Sequence, residues 1–263
     1  MATLSLGESD LASALFLAHA ANAAYCDNPR QQYPRFAELG FDTTLVFASR
    51  PALETFGFVA ANEAHLVLAF RGTDEPLDWI TNLTAEMVAW DQGQVHQGFA
   101  GALESVWGQV EQYVGQLHRS QQVWVCGHSL GGALATLASQ RLKRRRKPVA
   151  TYTFGQPRVG DAAFKKRFRG VLKRFVNHRD IVPHLPPRGL SGYQHVGELR
   201  YLDADGQLHD TQEPSSLVDL DLALAVVGSL GAGIGSLLVR RYLKPRLEDH
   251  GLDRYLEKIE RLV

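Results

Sequence analysis

The chain has 263 residues, 45% of them hydrophobic, and its 28 lysines and arginines balance 28 aspartates and glutamates. That length holds one large α/β domain or two small ones with a substantial core. The zero net charge excludes a molecule-wide field for nucleic acid or an acidic partner. Cys26 and Cys126 are the only cysteines, and no H-E-x-x-H or paired C-x-x-C spacing occurs, so nothing demands a metal. The two thiols either bridge or stay free. Cys126 sits in an apolar run where a buried free thiol is the ordinary outcome.

Leu11–Ala24 is apolar and rich in small residues, like a signal-peptide core, but Glu8 and Asp10 precede it without any lysine or arginine. That is the wrong charge for a secretory leader. Leu11, Leu15, Ala18 and Asn22 share one helical face and Ser9-Asp10 offers a cap, so a packed first helix is the preferred reading. Thr44–Ala48 reads as a strand. Phe56–Ala60 and His65–Phe70 read as a hairpin through Ala61-Asn62-Glu63. Arg71–Pro76 is a turn, Leu77–Leu83 a short amphipathic helix with Trp79 and Ile80 on its apolar side, and Ala85–Trp90 a strand. Helical periodicity runs from Gly98 to Leu117. A strand at Val123–Cys126, a helix from Leu130 to about Arg144, a strand at Val149–Phe154, a helix at Ala162–Phe168 and a strand at Arg174–Asn177 follow. Alternating strands and helices predict an α/β fold: a mostly parallel sheet with helices on both faces, in a single domain over residues 1–263.

Two stretches stand apart. Lys143-Arg-Arg-Arg-Lys147 is either a solvated helix end favoured by the macrodipole or a basic patch for nucleic acid or localisation, and the former is preferred. Leu222–Val239 carries no charge and contains Gly231-x-x-x-Gly235, which makes it a marginal transmembrane candidate.

The most informative stretch is Val123–Ala135. A β-type run stops at Gly127, Ser129 stands between Gly127 and Gly131, and helix formers begin at once. This is G-x-S-x-G in the strand–turn–helix setting of a nucleophile elbow. The hydroxyl must stand clear of the backbone on a turn so sharp that only glycine fits beside it, and the helix after it aims free N–H groups at the reacting centre. A serine nucleophile needs a histidine base, and that histidine a carboxylate to fix its tautomer, in the chain order Ser, acid, His. Asp180 stands where the Arg174–Asn177 strand opens into a proline-rich loop; Asp161 is the competing acid but reads as a helix cap. Of the later histidines, His250 precedes an amphipathic helix (Leu252, Tyr255, Leu256, Ile259, Leu262) and is preferred. His195 is next and reads as part of a strand, and His178 and His184 read as loop-packing residues.

Seven segments, in order along the chain, carry a family resemblance: Ala69–Thr73, Asp78–Leu83, Val95–Phe99, Gly127–Ala135, Thr153–Gly160, Asn177–Pro183 and Asp249-His250. On these the chain resembles class 3 lipases, the fungal triacylglycerol lipase-like group of α/β-hydrolases. The resemblance implies an α/β-hydrolase fold with Ser129 as nucleophile, Asp180 as orienting acid, His250 as base, and the backbone N–H groups of Thr73 and Leu130 as the oxyanion hole. It also implies a lid at Glu75–Leu83, with Leu77, Trp79 and Ile80 as its lipid- and substrate-facing side; a helix packed on the core is the competing reading. A single membrane crossing by Leu222–Val239 would separate Asp180 from His250. A buried helix, an apolar wall over the acyl pocket, or a hairpin dipping into a membrane surface remain.

The expected activity is hydrolysis of acylglycerol-type lipid esters through an acyl-enzyme on Ser129. The alternatives are a phospholipase A1, an esterase for soluble or feruloyl esters and, in another class, a non-catalytic lipid-binding protein on the same fold. The chemistry needs no metal and no organic cofactor. The implied partners are a lipid or ester substrate and transient contact with a lipid interface, with no nucleic acid or protein partner. With no convincing signal peptide or membrane span, the compartment reads as cytoplasmic or reached without a cleavable N-terminal signal.

Overall fold

A computed structural model describes residues 6–26, 34–38, 40–41, 43–49, 55–73, 86–91, 93–187, 192–210 and 246–263. Residues 75–83 and 222–239, the expected lid and the uncharged run, lie outside the described residues. The elements in order are α1 (Asp10–Ala23), α2 (Arg35–Glu38), β1 (Thr43–Ala48), β2 (Phe56–Ala61), β3 (His65–Phe70), β4 (Met87–Trp90), β5 (Gly93–His96) and α3 (Gln97–Gln116). Then come β6 (Gln122–His128), α4 (Leu130–Leu142), β7 (Ala150–Phe154), α5 (Ala162–Arg167), β8 (Leu172–Asn177), a 3-10 turn (Val182–His184), β9 (Glu198–Leu202), β10 (Leu208–His209) and α6 (Leu252–Glu260).

Near-continuous apolar strands must be covered on both faces, and β3 and β6 are such strands. They pair in parallel at the centre of an eight-stranded sheet of order β1-β2-β3-β6-β7-β8-β9-β10. The ladder is parallel from β3 to β9 and antiparallel at β1/β2, β2/β3 and β9/β10. Side-chain alternation sends Leu66, Leu68, Phe70, Val123 and Val125 to the core shared with α3 and α4. Val67, Ala69, Trp124 and Cys126 point to the opposite core, shared with α1 and α6. The β2–β3 hairpin turns at Asn62, whose side-chain oxygen accepts from the N–H groups of Ala64 and His65.

Several local expectations change. Helix α1 is capped by Ser9, whose hydroxyl accepts from Ala12 N, but it is buried on nearly every side rather than along one face. Leu11 and Asn22, two of the four residues expected on the buried face, are half-exposed. The helix runs between the sheet and α6, where its alanines permit close approach. A two-stranded ribbon of β4 and β5, beside the main sheet, was not foreseen beyond β4; it is tied to the loop after β7 by His96 N donating to Val159 O. Strands β9 and β10 were also unforeseen. His195 lies outside any strand, next to the single bridge between Gly160 and Gln194. The basic run is more than a solvated helix end. Arg144 and Lys143 pair with Asp91, Arg145 with Glu111, and Arg146 donates to the carbonyls of Val114, Leu117, His118 and Gln121, closing the end of α3. Cys26 and Cys126 are free thiols.

Candidate active site

The residues expected to carry the nucleophile, the acid and the oxyanion hole follow the carboxyl ends of parallel strands, and His250 precedes the last helix. Ser129 follows β6 directly with φ 56° and ψ −128°, and its N–H donates to Phe154 O at the end of β7. A Cβ at Gly127 would stand 2.2 Å from Gly131 O, and one at Gly131 2.2 Å from Phe70 O. These distances are why glycine brackets the serine. Leu130 opens α4, so its N–H belongs to the first turn, where helical acceptors are lacking. On the neighbouring strand, Gly72 follows β3 so closely that a Cβ there would lie 3.0 Å from Ser129 Cβ, and Thr73 comes next.

Asp180 follows β8 at the head of the Asp180–His184 turn and is fully buried. Its carboxylate accepts from His250 Nδ1 at 2.8 and 3.0 Å, from Tyr255 Oη at 2.5 Å and from Val182 N at 2.9 Å. Burial alone would raise its pKa. The neighbouring His250, the Tyr255 hydroxyl and the Val182 N–H outweigh that and bring the carboxyl below its ordinary value. The same contact pushes the buried Tyr255 phenol well above its usual range, through burial first and the carboxylate second. With Nδ1 donating to a carboxylate, Nε2 of His250 is the basic nitrogen.

His250 is 2% exposed and lies just before α6, in a turn that follows helical residues 246–248. Its ring stacks on that of His128, the residue preceding Ser129, with centroids 4.5 Å apart. Ser129 Oγ and His250 Nε2 are both buried and neither makes a hydrogen bond, to the other or to any described group. The two residues are far apart in sequence and are brought near each other by the fold, through the ring of His128 next to Ser129.

The structure brings together Ser129, Leu130 and Thr73 on one side and Asp180 with His250 on the other. Leu77, Trp79 and Ile80 lie outside the described residues, as does Asp74. Asp161 is the N-cap of α5, accepting from Phe164 N at 2.7 Å. His195 is half-buried and faces Pro183 O at 2.7 Å through Nε2, with its pKa forced well down by loss of hydration and then by Arg174 and Arg158. His184 is buried in the 3-10 turn. Sequence reasoning missed Tyr255, His128 and Asn177. Tyr255 was legible only as one of the apolar positions of the last helix. Among the described residues no group of His, Cys, Asp and Glu could hold a metal, and no helix is long and apolar enough to cross a membrane.

The chain is similar to known lipases in sequence and in fold. The family model described as "Lipase (class 3)" matches residues 67–190, a stretch that includes Thr73, Ser129, Leu130 and Asp180 but stops before His250. A lipase of Rhizomucor miehei is 38% identical over 156 residues, covering 52% of this chain and 41% of that protein. A secreted mono- and diacylglycerol lipase of Fusarium solani is 33% identical over 216 residues, covering 74% of this chain and 64% of that protein. The chain thus spans less than two thirds of the length of these relatives. The solved mono- and diacylglycerol lipase of Aspergillus oryzae superposes with a TM-score of 0.70 at 26% identity, over 78% of this chain and 87% of that one. The mostly parallel sheet flanked by helices is the α/β-hydrolase fold of these fungal lipases, and over residues 67–190 the chain matches the class 3 lipase family.

Proposed function

We propose that this chain is a serine carboxylic-ester hydrolase, a lipase cleaving acylglycerol-type lipid esters. The observation that carries the reading is the buried Asp180–His250 pair, whose unpartnered Nε2 lies beside the nucleophile elbow. The substrate class rests on relatives named as mono- and diacylglycerol lipases.

In the proposed reaction His250 Nε2 removes the Ser129 proton as Oγ attacks the ester carbonyl. Asp180 keeps the proton on Nδ1 and stabilises the imidazolium. The N–H groups of Thr73 and Leu130 receive the oxyanion, each donor worth on the order of 3 kcal/mol of barrier. The imidazolium returns its proton to the leaving alcohol, and water, deprotonated by the same base, releases the acid from the acyl-enzyme.

The test is labelling with a fluorophosphonate, alongside hydrolysis of p-nitrophenyl esters of increasing length and of mono-, di- and triacylglycerol emulsions. Labelling that disappears in Ser129→Ala, with turnover abolished in His250→Ala and retained in His195→Ala, is the expected result. Label surviving Ser129→Ala, or activity that tracks His195 instead, overturns the assignment. A preference for phospholipid liposomes would redirect the substrate class.

A further inference from the structure

His250 belongs to neither helix nor strand, so its main-chain carbonyl and that of Asp249 have no ladder to join, and buried carbonyls need donors. Both donors are side chains, and both come from the strands that carry the other two members of the proposed triad. Asn177, the last residue of β8 and fully buried, donates from Nδ2 to Asp249 O at 2.8 Å. His128, the last residue of β6, contacts His250 O through Nε2 at 2.7 Å. Asn177 is held in turn. Its Oδ1 accepts from Lys258 at 2.7 Å, its N–H donates to Tyr255 Oη at 3.0 Å, and its carbonyl accepts from Asp180 N at 2.8 Å.

Resting on the proposed function above, we infer that His128 and Asn177 are positioning residues that set the base through its main chain, clamping two consecutive carbonyls to the strand ends that carry Ser129 and Asp180. The Asp180 carboxylate fixes the rotation of the His250 ring; the clamp fixes where that ring begins. Rotation without anchorage would leave Nε2 free to drift from Oγ, and a drift near 1 Å costs on the order of 100-fold in rate.

The clamp also dictates the state of His128. A carbonyl only accepts, so Nε2 carries the proton, and Nδ1 receives the Tyr25 hydroxyl at 2.7 Å. The groups facing His128 are Tyr25 beyond α1, His250 and Tyr255 from the C-terminal segment and, past them, Asp180. Burial first, and the neighbouring His250 second, push its pKa down to about 3. A neutral ring is what the chemistry requires there. The imidazolium formed on His250 during attack stacks 4.5 Å from His128, where a second positive charge would oppose it. The residue inside the serine turn is therefore a directional donor that stays uncharged.

The test compares His128→Phe, which keeps a ring and removes the donor, with His128→Gln, which keeps a donor near the place of Nε2, and with Tyr25→Phe, which unhooks the ring from behind. End-point titration with a p-nitrophenyl phosphonate counts competent sites, and kcat and KM are read on p-nitrophenyl butyrate. For His128→Phe we expect a full titre, kcat per titrated site lower by about 10- to 100-fold and KM within about twofold; His128→Gln recovers most of the loss. A purely structural role predicts the reverse: fewer titrated sites, each with wild-type turnover, and that result overturns the inference. Should His128→Phe fail to fold, Tyr25→Phe decides, since wild-type turnover per site in that variant is equally fatal. Failure of the underlying function is distinguishable, because the wild-type chain itself would then neither titrate nor turn over.

Discussion

Replacing Gly155 with alanine isolates the tightest constraint in the site. Gly155 leaves β7 with φ 59°, and a Cβ there would lie 2.7 Å from Asp180 Oδ2 and 2.8 Å from both Cε1 and Nδ1 of His250. Reaching ordinary van der Waals separation of about 3.5 Å requires the pair to retreat by roughly 0.7 Å. Neither partner has slack. Asp180 is held by Val182 N and Tyr255 Oη, and His250 is held through its carbonyl. The backbone itself resists, because a left-handed alanine costs about 1–2 kcal/mol, and overpacking adds about 1–3 kcal/mol. Displacement on this scale should lower kcat about 100-fold, equivalent to about 2.7 kcal/mol of barrier, with KM little changed. Gly192→Ala supplies the control: φ there is 70° and, among the described residues beyond its chain neighbours, no atom lies within 4 Å of the added Cβ. It carries the backbone cost without the clash, so it should lower the melting temperature and leave kcat alone. The assay is kcat and KM on p-nitrophenyl butyrate beside thermal unfolding of all three proteins. Wild-type kcat in Gly155→Ala, or an equal loss of kcat in Gly192→Ala, would refute the reasoning.

Three further outcomes follow from the same geometry. Asp161→Ala removes the cap of α5 and should cost about 1 kcal/mol of stability by denaturant titration while activity persists; Asp180→Asn should lower kcat by about 10⁴ through the wrong tautomer of His250, and comparable losses in both would contradict the division of roles. Arg146→Ala, which releases four carbonyls around the end of α3, should destabilise the fold by about 1–3 kcal/mol with unchanged kcat. The depressed pKa of Asp180 makes its stabilising contribution complete above the unfolded value and progressively lost as pH falls through the folded one. The gap in melting temperature between wild type and Asp180→Asn should therefore be level above about pH 5 and shrink below about pH 4; a gap that is constant down to pH 3 would show that Asp180 is not held as a stabilised carboxylate.

Much of this arrangement was legible because local chemistry and global position coincide. The elbow announces itself, since a strand, two glycines and a helix are all needed within a few residues of Ser129. Asp180 was recoverable from its place after an apolar strand, and Asp161 was separable from it because a capping carboxylate stands three residues before the N–H it accepts from. What escaped was non-local. Tyr255 occupies an apolar position of α6, so periodicity classifies it as core; only the fold shows its hydroxyl on Asp180. Arg146 read as part of a solvated helix end because its acceptors, carbonyls at the end of α3, lie some thirty residues away in sequence and carry no side-chain signature. Strand β9 was missed because Glu198 and Arg200 interrupt its apolar run, as suits a strand near the edge of the sheet.

The sheet order imposes a further demand that the motif Thr153–Gly160 answers. Ser129 leaves β6 and Asp180 leaves β8, yet β7 runs between them, so the intervening strand must end without obstructing the line from acid to nucleophile. Phe154 contributes only its carbonyl, accepting from Ser129 N. Gly155 contributes no side chain, and its own N–H donates back to Phe175 O in β8. Gln156 turns toward α4 and accepts from Thr136 Oγ1 at 2.9 Å, and Arg158 then binds the carbonyls of His184 and Pro186 just beyond the acid turn. Consecutive residues of one strand end thus hold the elbow, clear the gap and brace the acid loop. A donor lost from Asp180 can be partly covered by the two that remain, whereas a methyl group at Gly155 acts on acid and base together. Substitution there should accordingly cost more activity than loss of the Tyr255 hydroxyl alone, and Tyr255→Phe measured beside Gly155→Ala on p-nitrophenyl butyrate gives that ranking directly.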